Sequence, residues 1–164
     1  MEFLVLKGIN LNTPVYRGFA PIKDIAAMSA RDQFNQDTNP EELQRDLTIE
    51  HAPESYHYAE GSAAVPDHPR LWPEVLLNIR GVEVATITPI NESHNLWMID
   101  VHEYRLDKTL VCPQISRIGG KHPLNYGDGN EQEDWPSLDV STQFCLTVGL
   151  TPHQEAALFM DINN

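Results

Sequence analysis

The tetrapeptide Thr151-Pro152-His153-Gln154 narrows the folding choices of this chain more than any other segment. Threonine is a good helix cap, proline is preorganised for the first helical position, and glutamine at the third can bond back to the cap. Ala157, Leu158, Met160 and Ile162 continue an apolar stripe, so a helix is predicted over 152–162. Just before it, Val140 to Leu146 reads as a strand. A strand running through a short link into a capped helix belongs to chains that pack helices on a sheet.

The rest of the chain repeats that mixture. Phe3–Ile9 and Val15–Phe19 are predicted strands, and Pro21 to Ser29 a helix with Ile22, Ile25, Ala26 and Met28 on its apolar side. Asp32 to Asp46 is polar and carries the turn signal Asn39-Pro40, while Ala52 to Glu60 has helical spacing. Gly61 to Arg70 is a loop. Pro73 to Arg80 is a strand with apolar residues on both faces, which suggests cover on both sides. Val82–Ile90 and Leu96–His102 form a hairpin around Asn91-Glu92-Ser93-His94-Asn95, and Thr109–Ile118 gives a further strand broken by Pro113. The expected class is α+β, a mixed sheet with packed helices in one domain over residues 1–164. The strand entering Gly119 is expected inside that sheet, with the 152–162 helix packed on it. That helix has no glycine stop, which predicts that the natural module continues beyond residue 164 and that its uncovered apolar side drives self-association.

Charge and cysteines limit the functions. The formal net charge is -13. Nucleic-acid binding over the whole surface needs clustered Lys and Arg, which this chain lacks. Residues 104–123 nevertheless carry four basic groups and one acidic group, whereas 124–164 carry seven acidic groups and no basic one. Cys112 and Cys145 stand in unlike contexts with no CxxC, which points to reduced thiols and a cytoplasmic location. The start of the chain lacks the pattern of a signal peptide, and no apolar run is long enough to span a membrane.

The basic stretch ends in Ile115-Ser116-Arg117-Ile118-Gly119-Gly120-Lys121-His122-Pro123. Glycines can turn with positive φ and leave N–H groups uncovered; such groups attract anions near a helix start. Lys121 would add a charge and His122 a donor. A plain tight turn is the alternative. Asp128, Glu131, Glu133 and Asp134 follow as a solvated acidic loop, or as oxygen ligands for a divalent ion beside a bound phosphate. His51, His57 and His153 fit no zinc spacing and read as structural or surface residues. Walker, GxSxG and dinucleotide motifs are absent.

At this loop the chain resembles the DGQHR-domain family of the ParB/sulfiredoxin fold. Sulfiredoxins carry Gly-Gly-Cys-His-Arg there and DGQHR proteins Asp-Gly-Gln-His-Arg; this chain has Gly119-Gly120-Lys121-His122-Pro123. Leu43-Gln44-Arg45-Asp46-Leu47, Trp72-Pro73-Glu74-Val75 and Leu158-Phe159-Met160-Asp161-Ile162-Asn163 follow the order of the family's other segments, so the similarity spans roughly residues 10 to 164. The resemblance implies a ParB-like α+β core whose phosphate or nucleotide site is lined by Arg45, Gly119, Gly120, Lys121, His122 and Asn163. It implies ATP or another nucleotide with magnesium as ligand. It also implies a role like that of the DndB branch in DNA phosphorothioation systems; the chain's own acidity then predicts that DNA is reached through a region beyond residue 164 or a partner protein. Two departures stand out. Lys121 replaces the sulfiredoxin cysteine, which disfavours thiol repair, and Pro123 replaces an arginine, which removes a phosphate-binding fork that Arg117 or Arg45 would have to supply. The competing readings are a nucleotide hydrolase using Lys121 and His122, and a degenerate, non-catalytic protein-binding fragment.

Overall fold

The computed structural model describes residues 1–30, 52–62, 65–81, 83–102, 115–119, 129 and 134–163. In chain order the elements are β1 (Glu2–Asn10), β2 (Thr13–Pro21), α1 (Ile22–Met28), α2 (Ala52–Glu60), β3 (Val75–Ile79), β4 (Ala85–Asn91), a 3-10 turn (Glu92–His94), β5 (Leu96–Val101), β6 (Ile115–Gly119), β7 (Ser141–Val148) and α3 (Pro152–Asn163). The described strands form one seven-stranded mixed sheet in the order β4-β5-β1-β2-β7-β3-β6. Its pairings are antiparallel except β3 with β7, which is parallel. The α+β class and the packed helices are as the sequence predicts.

Alternation decides the faces. On β1 and β2, Phe3, Val5, Tyr16 and Ala20 are buried, while Leu4, Leu6, Arg17 and Phe19 are exposed. The register continues the buried set into Phe144 and Leu146 of β7, then Val75, Leu77 and Ile79 of β3. Phe3 meets Phe144 edge to face, with ring centroids 5.6 Å apart. On this core face lie α1, through Ile22, Ile25 and Met28, and α2, through Tyr56. The Tyr56 ring stacks on Trp135 and its hydroxyl donates to the Pro136 carbonyl. Burying those apolar side chains contributes about 1.5–3 kcal/mol each.

Gly18 is where the core is tightest. A Cβ there would lie 2.8 Å from the Leu4 carbonyl oxygen, 3.1 Å from Phe144 Cζ and 3.2 Å from Val5 Cγ1. The first of these is backbone inside a sheet and cannot swing aside. Gly18→Ala is therefore expected to lose about 1–3 kcal/mol, the usual cost of overpacking; a urea melt followed by circular dichroism checks it, and an unchanged midpoint would contradict the packing.

β6 lies in the mixed sheet with α3 packed on it, as the sequence predicts. It is the last strand of the described sheet rather than an internal one. Its outer side is still occupied: Ala30 N–H donates to the Ile115 carbonyl at 3.0 Å and Arg117 N–H donates to the Ala30 carbonyl at 2.9 Å. This short parallel bridge seals the edge, so Ile115 to Ile118 are all buried. A sheet edge covered in this way looks internal in sequence, because both settings demand apolar residues on both faces. Of the predicted strand 109–118, the part before Ile115 lies outside the described residues, as does the polar segment 32–46.

Candidate functional site

β6 delivers Gly119 to the start of the candidate loop. Gly119 is paired with Leu76 of β3. Its φ is not positive, and a Cβ built on it would meet only Leu76 Cβ, at 3.9 Å. The conformational freedom that the sequence argument gave this glycine is thus not used at position 119. Gly119→Ala is expected to leave stability unchanged or to raise it by about 0.4–1 kcal/mol, since alanine fits and narrows the unfolded ensemble; a lowered melting temperature would show that close approach to the loop matters there. Gly120, Lys121, His122 and Pro123 lie outside the described residues, and so does Arg45. Asn163 closes α3, and α3 packs on β6. The elements carrying Gly119 and Asn163 are therefore neighbours. Of the four carboxylates after the loop, Asp134 is described, exposed and at φ 56°; Asp128, Glu131 and Glu133 are outside the described residues. No group of three or more metal-ligating side chains occurs among the described residues.

Arg117, one of the two arginines named above as a replacement for the family arginine, bonds to the end of α1. It is only 7% exposed and faces the core side beside Leu77. Its Nη2 donates to the Ala26 carbonyl at 3.0 Å and the Ser29 carbonyl at 2.8 Å, while Nε donates to Ser29 Oγ at 2.9 Å. These are carbonyls at the C-terminal end of α1, which has no basic residue of its own in its last turn. A cation there satisfies groups that the helix leaves orphaned. Through these bonds the guanidinium ties α1 to β6.

The opposite face of the sheet holds a buried polar constellation that sequence reasoning missed. Asn78 of β3 is fully buried, between Leu77 and Ile79. Its Nδ2 donates to the Leu150 carbonyl at 2.9 Å and to Glu155 Oε2 at 2.7 Å. Its Oδ1 accepts from Thr147 Oγ1 at 2.9 Å and from the Leu150 N–H at 3.2 Å. Arg80 grips Glu155 with both arms, Nε to Oε2 and Nη2 to Oε1, each at 2.8 Å. Glu155, on α3, is 6% exposed. Thus α3 is fastened to the sheet by a carboxylate. Asparagine in the middle of Val75-Leu76-Leu77-Asn78-Ile79 was the available signal, since a polar residue inside an apolar strand must find partners.

The start of α3 follows the sequence closely. Gln154 N–H donates to Thr151 Oγ1 at 3.2 Å and Thr151 N–H to Gln154 Oε1 at 2.9 Å, a reciprocal capping box. Along the helix Leu158 is half-buried, whereas Met160 and Ile162 are exposed. Cys145, on the same face of the sheet as Asn78, is buried and unpaired. Burial pushes its thiol up to about 11, Glu74 adds to the rise and Arg17 opposes it. A protonated, buried thiol is a poor nucleophile. A shallow groove of about 500 Å³ lies at the other end of the sheet, lined by Lys7, Gly8, Ile9, Glu92, Asn95 and Trp97, with the Lys7 ammonium 4.7 Å from the Trp97 ring centre.

Among the described residues no helix is long and apolar enough to cross a membrane. Compared with known proteins, the chain matches no family model, no curated protein and no solved structure.

Proposed function

We propose that this chain is a phosphate-binding, nucleotide- or DNA-associated module of the DndB type, with its site at the loop that leaves β6. The observation that carries the reading is the contact between α3 and β6. The resemblance assigns the site to two distant stretches, the Gly119–His122 loop and the helix ending in Asn163, and the elements bearing them are packed together. In this reading Gly119 and Gly120 offer backbone N–H groups, Lys121 supplies the point charge, and His122 and Asn163 add hydrogen bonds, with Arg45 as the guanidinium. ATP or a related nucleotide with magnesium is the ligand, held without a catalytic role assigned to any residue. DNA is reached through a partner protein or a further region, in keeping with a formal charge of -13.

The test is a melt with and without ATP and magnesium. Ligand at about 100 times its dissociation constant adds about 2.7 kcal/mol, several degrees in melting temperature. Lys121→Ala is expected to remove most of that gain at little cost to the unliganded fold, and Pro123→Arg to enlarge it. Equal gains for wild type and Lys121→Ala would contradict this site.

A further inference from the structure

We propose that the uncovered half of the sheet face that carries α3 is a docking surface for one cationic amphipathic helix of a partner protein. Strand register defines this face. Leu6 lies between Leu96 and Arg17, and Leu4 lies beside Met98. Phe19, two residues beyond Arg17 on β2, points the same way. Leu4, Leu6 and Phe19 are 55%, 58% and 70% exposed, and with the half-buried Leu96 and Met98 they make an apolar stripe across β5, β1 and β2. Over β3 and β7 the same face is closed: Asn78 and Thr147 are buried there, Thr147 donates to Asn78, and Asn78 bonds to Leu150 and to Glu155 of α3. With Thr86 and Thr88 of β4 also exposed on this face, the open portion is four strands wide, about 19 Å at the usual strand spacing. That is room for one helix, whose diameter with side chains is about 10–12 Å, laid beside α3.

The charge around the stripe selects the partner. Glu2 and Asp100 face each other directly across β1 and β5. Asp100 has the N-terminal ammonium at 3.6 Å, while Glu2 has no ion pair among the described residues. At the opposite end the Arg17 guanidinium is already neutralised by Glu74, through Nε at 3.0 Å and Nη2 at 2.8 Å. The unpaired charge beside the stripe is therefore acidic, and a lysine or arginine on the incoming helix would relieve the Glu2–Asp100 repulsion. A second copy of the chain would bring another formal charge of -13 and be repelled.

The experiment titrates the protein with synthetic helices of about four turns. One carries Leu at helical spacing with Lys elsewhere. A second replaces Leu by Ser at equal charge, and a third replaces Lys by Glu on the same apolar pattern. Fluorescence anisotropy near physiological salt, about 0.15 M, is expected to show the Leu/Lys helix binding at least about tenfold more tightly than either control. Leu6→Ser with Phe19→Ser, both exposed, is expected to weaken it about tenfold with an unchanged melting curve. Glu2→Lys is expected to weaken it severalfold without touching the apolar stripe, and Ile9→Ser, an exposed apolar residue off this face, to leave it unchanged. Equal binding of the Ser/Lys or Leu/Glu helix would overturn the proposal. So would full binding by both the Leu6/Phe19 and the Glu2 variants. Sedimentation as a dimer that the Leu6/Phe19 variant dissolves would overturn it too, by assigning the face to a second copy.

Discussion

Glu155→Ala is expected to destabilise the fold by about 3–5 kcal/mol, the range found when one partner of a buried ion pair is removed. The reason is specific to the contacts. Glu155 accepts two hydrogen bonds from Arg80 and one from Asn78, and the side chains of the ion pair are only 10% and 7% exposed. Without the carboxylate, a guanidinium and an amide lose these bonds where water reaches poorly. For a chain of this length the melting temperature should fall by about 10 °C. A double substitution separates two explanations. If the loss comes from stranded polar groups, Glu155→Leu with Arg80→Met should recover part of it, since an apolar pair of similar volume can replace a buried ion pair. If Glu155→Ala costs less than about 1 kcal/mol in a urea melt, α3 is not held by this pair.

Arg117→Met should be the second large effect, at roughly 3 kcal/mol. It removes a cation that satisfies the carbonyls of Ala26 and Ser29 inside the protein, and each buried acceptor left dry costs about 1–3 kcal/mol. The damage should be local to the junction of α1 with β6. Hydrogen exchange resolves this: amides of α1 are expected to lose protection before those of β1, β2 and β7. Uniform loss across the sheet, or no loss, would contradict the role given to Arg117. Lysine should rescue only part of the stability, because one ammonium cannot reproduce the geometry of the guanidinium fork.

These two arginines show where sequence reasoning works and where it stops. Short-range physics was readable. Alternation in Phe3-Leu4-Val5-Leu6 identified β1, the Val82–His102 segment folds back as the expected hairpin of β4 and β5, and Thr151 with Gln154 forms the cap its spacing suggested. Each of those signals depends on neighbours within a few residues. The missed features depend on distant partners. Asn78 meets Glu155 and Arg117 meets Ser29 because of the strand order, and nothing local in either segment encodes that order. The parallel pairing of β3 with β7, more than sixty residues apart, is of the same kind. At the candidate site, the strand and the helix that flank it were readable. The bonds of Arg117 to the end of α1 were not readable, because an arginine beside a glycine turn looks the same in sequence whether it faces a ligand or caps a helix.

The phosphate-binding reading is tested most directly by calorimetric titration of the wild-type chain with ATP, pyrophosphate and adenosine, each with and without magnesium. Phosphate is the recognised group in this account, so ATP and pyrophosphate should bind while adenosine should not, and Lys121→Ala should abolish the heat of both. Pro123→Arg should tighten both, through a bidentate fork. No binding of ATP or pyrophosphate at about millimolar concentration, which corresponds to about 4 kcal/mol of affinity, by either the wild type or Pro123→Arg would contradict the account and leave Gly119-Gly120-Lys121-His122 as a turn alone.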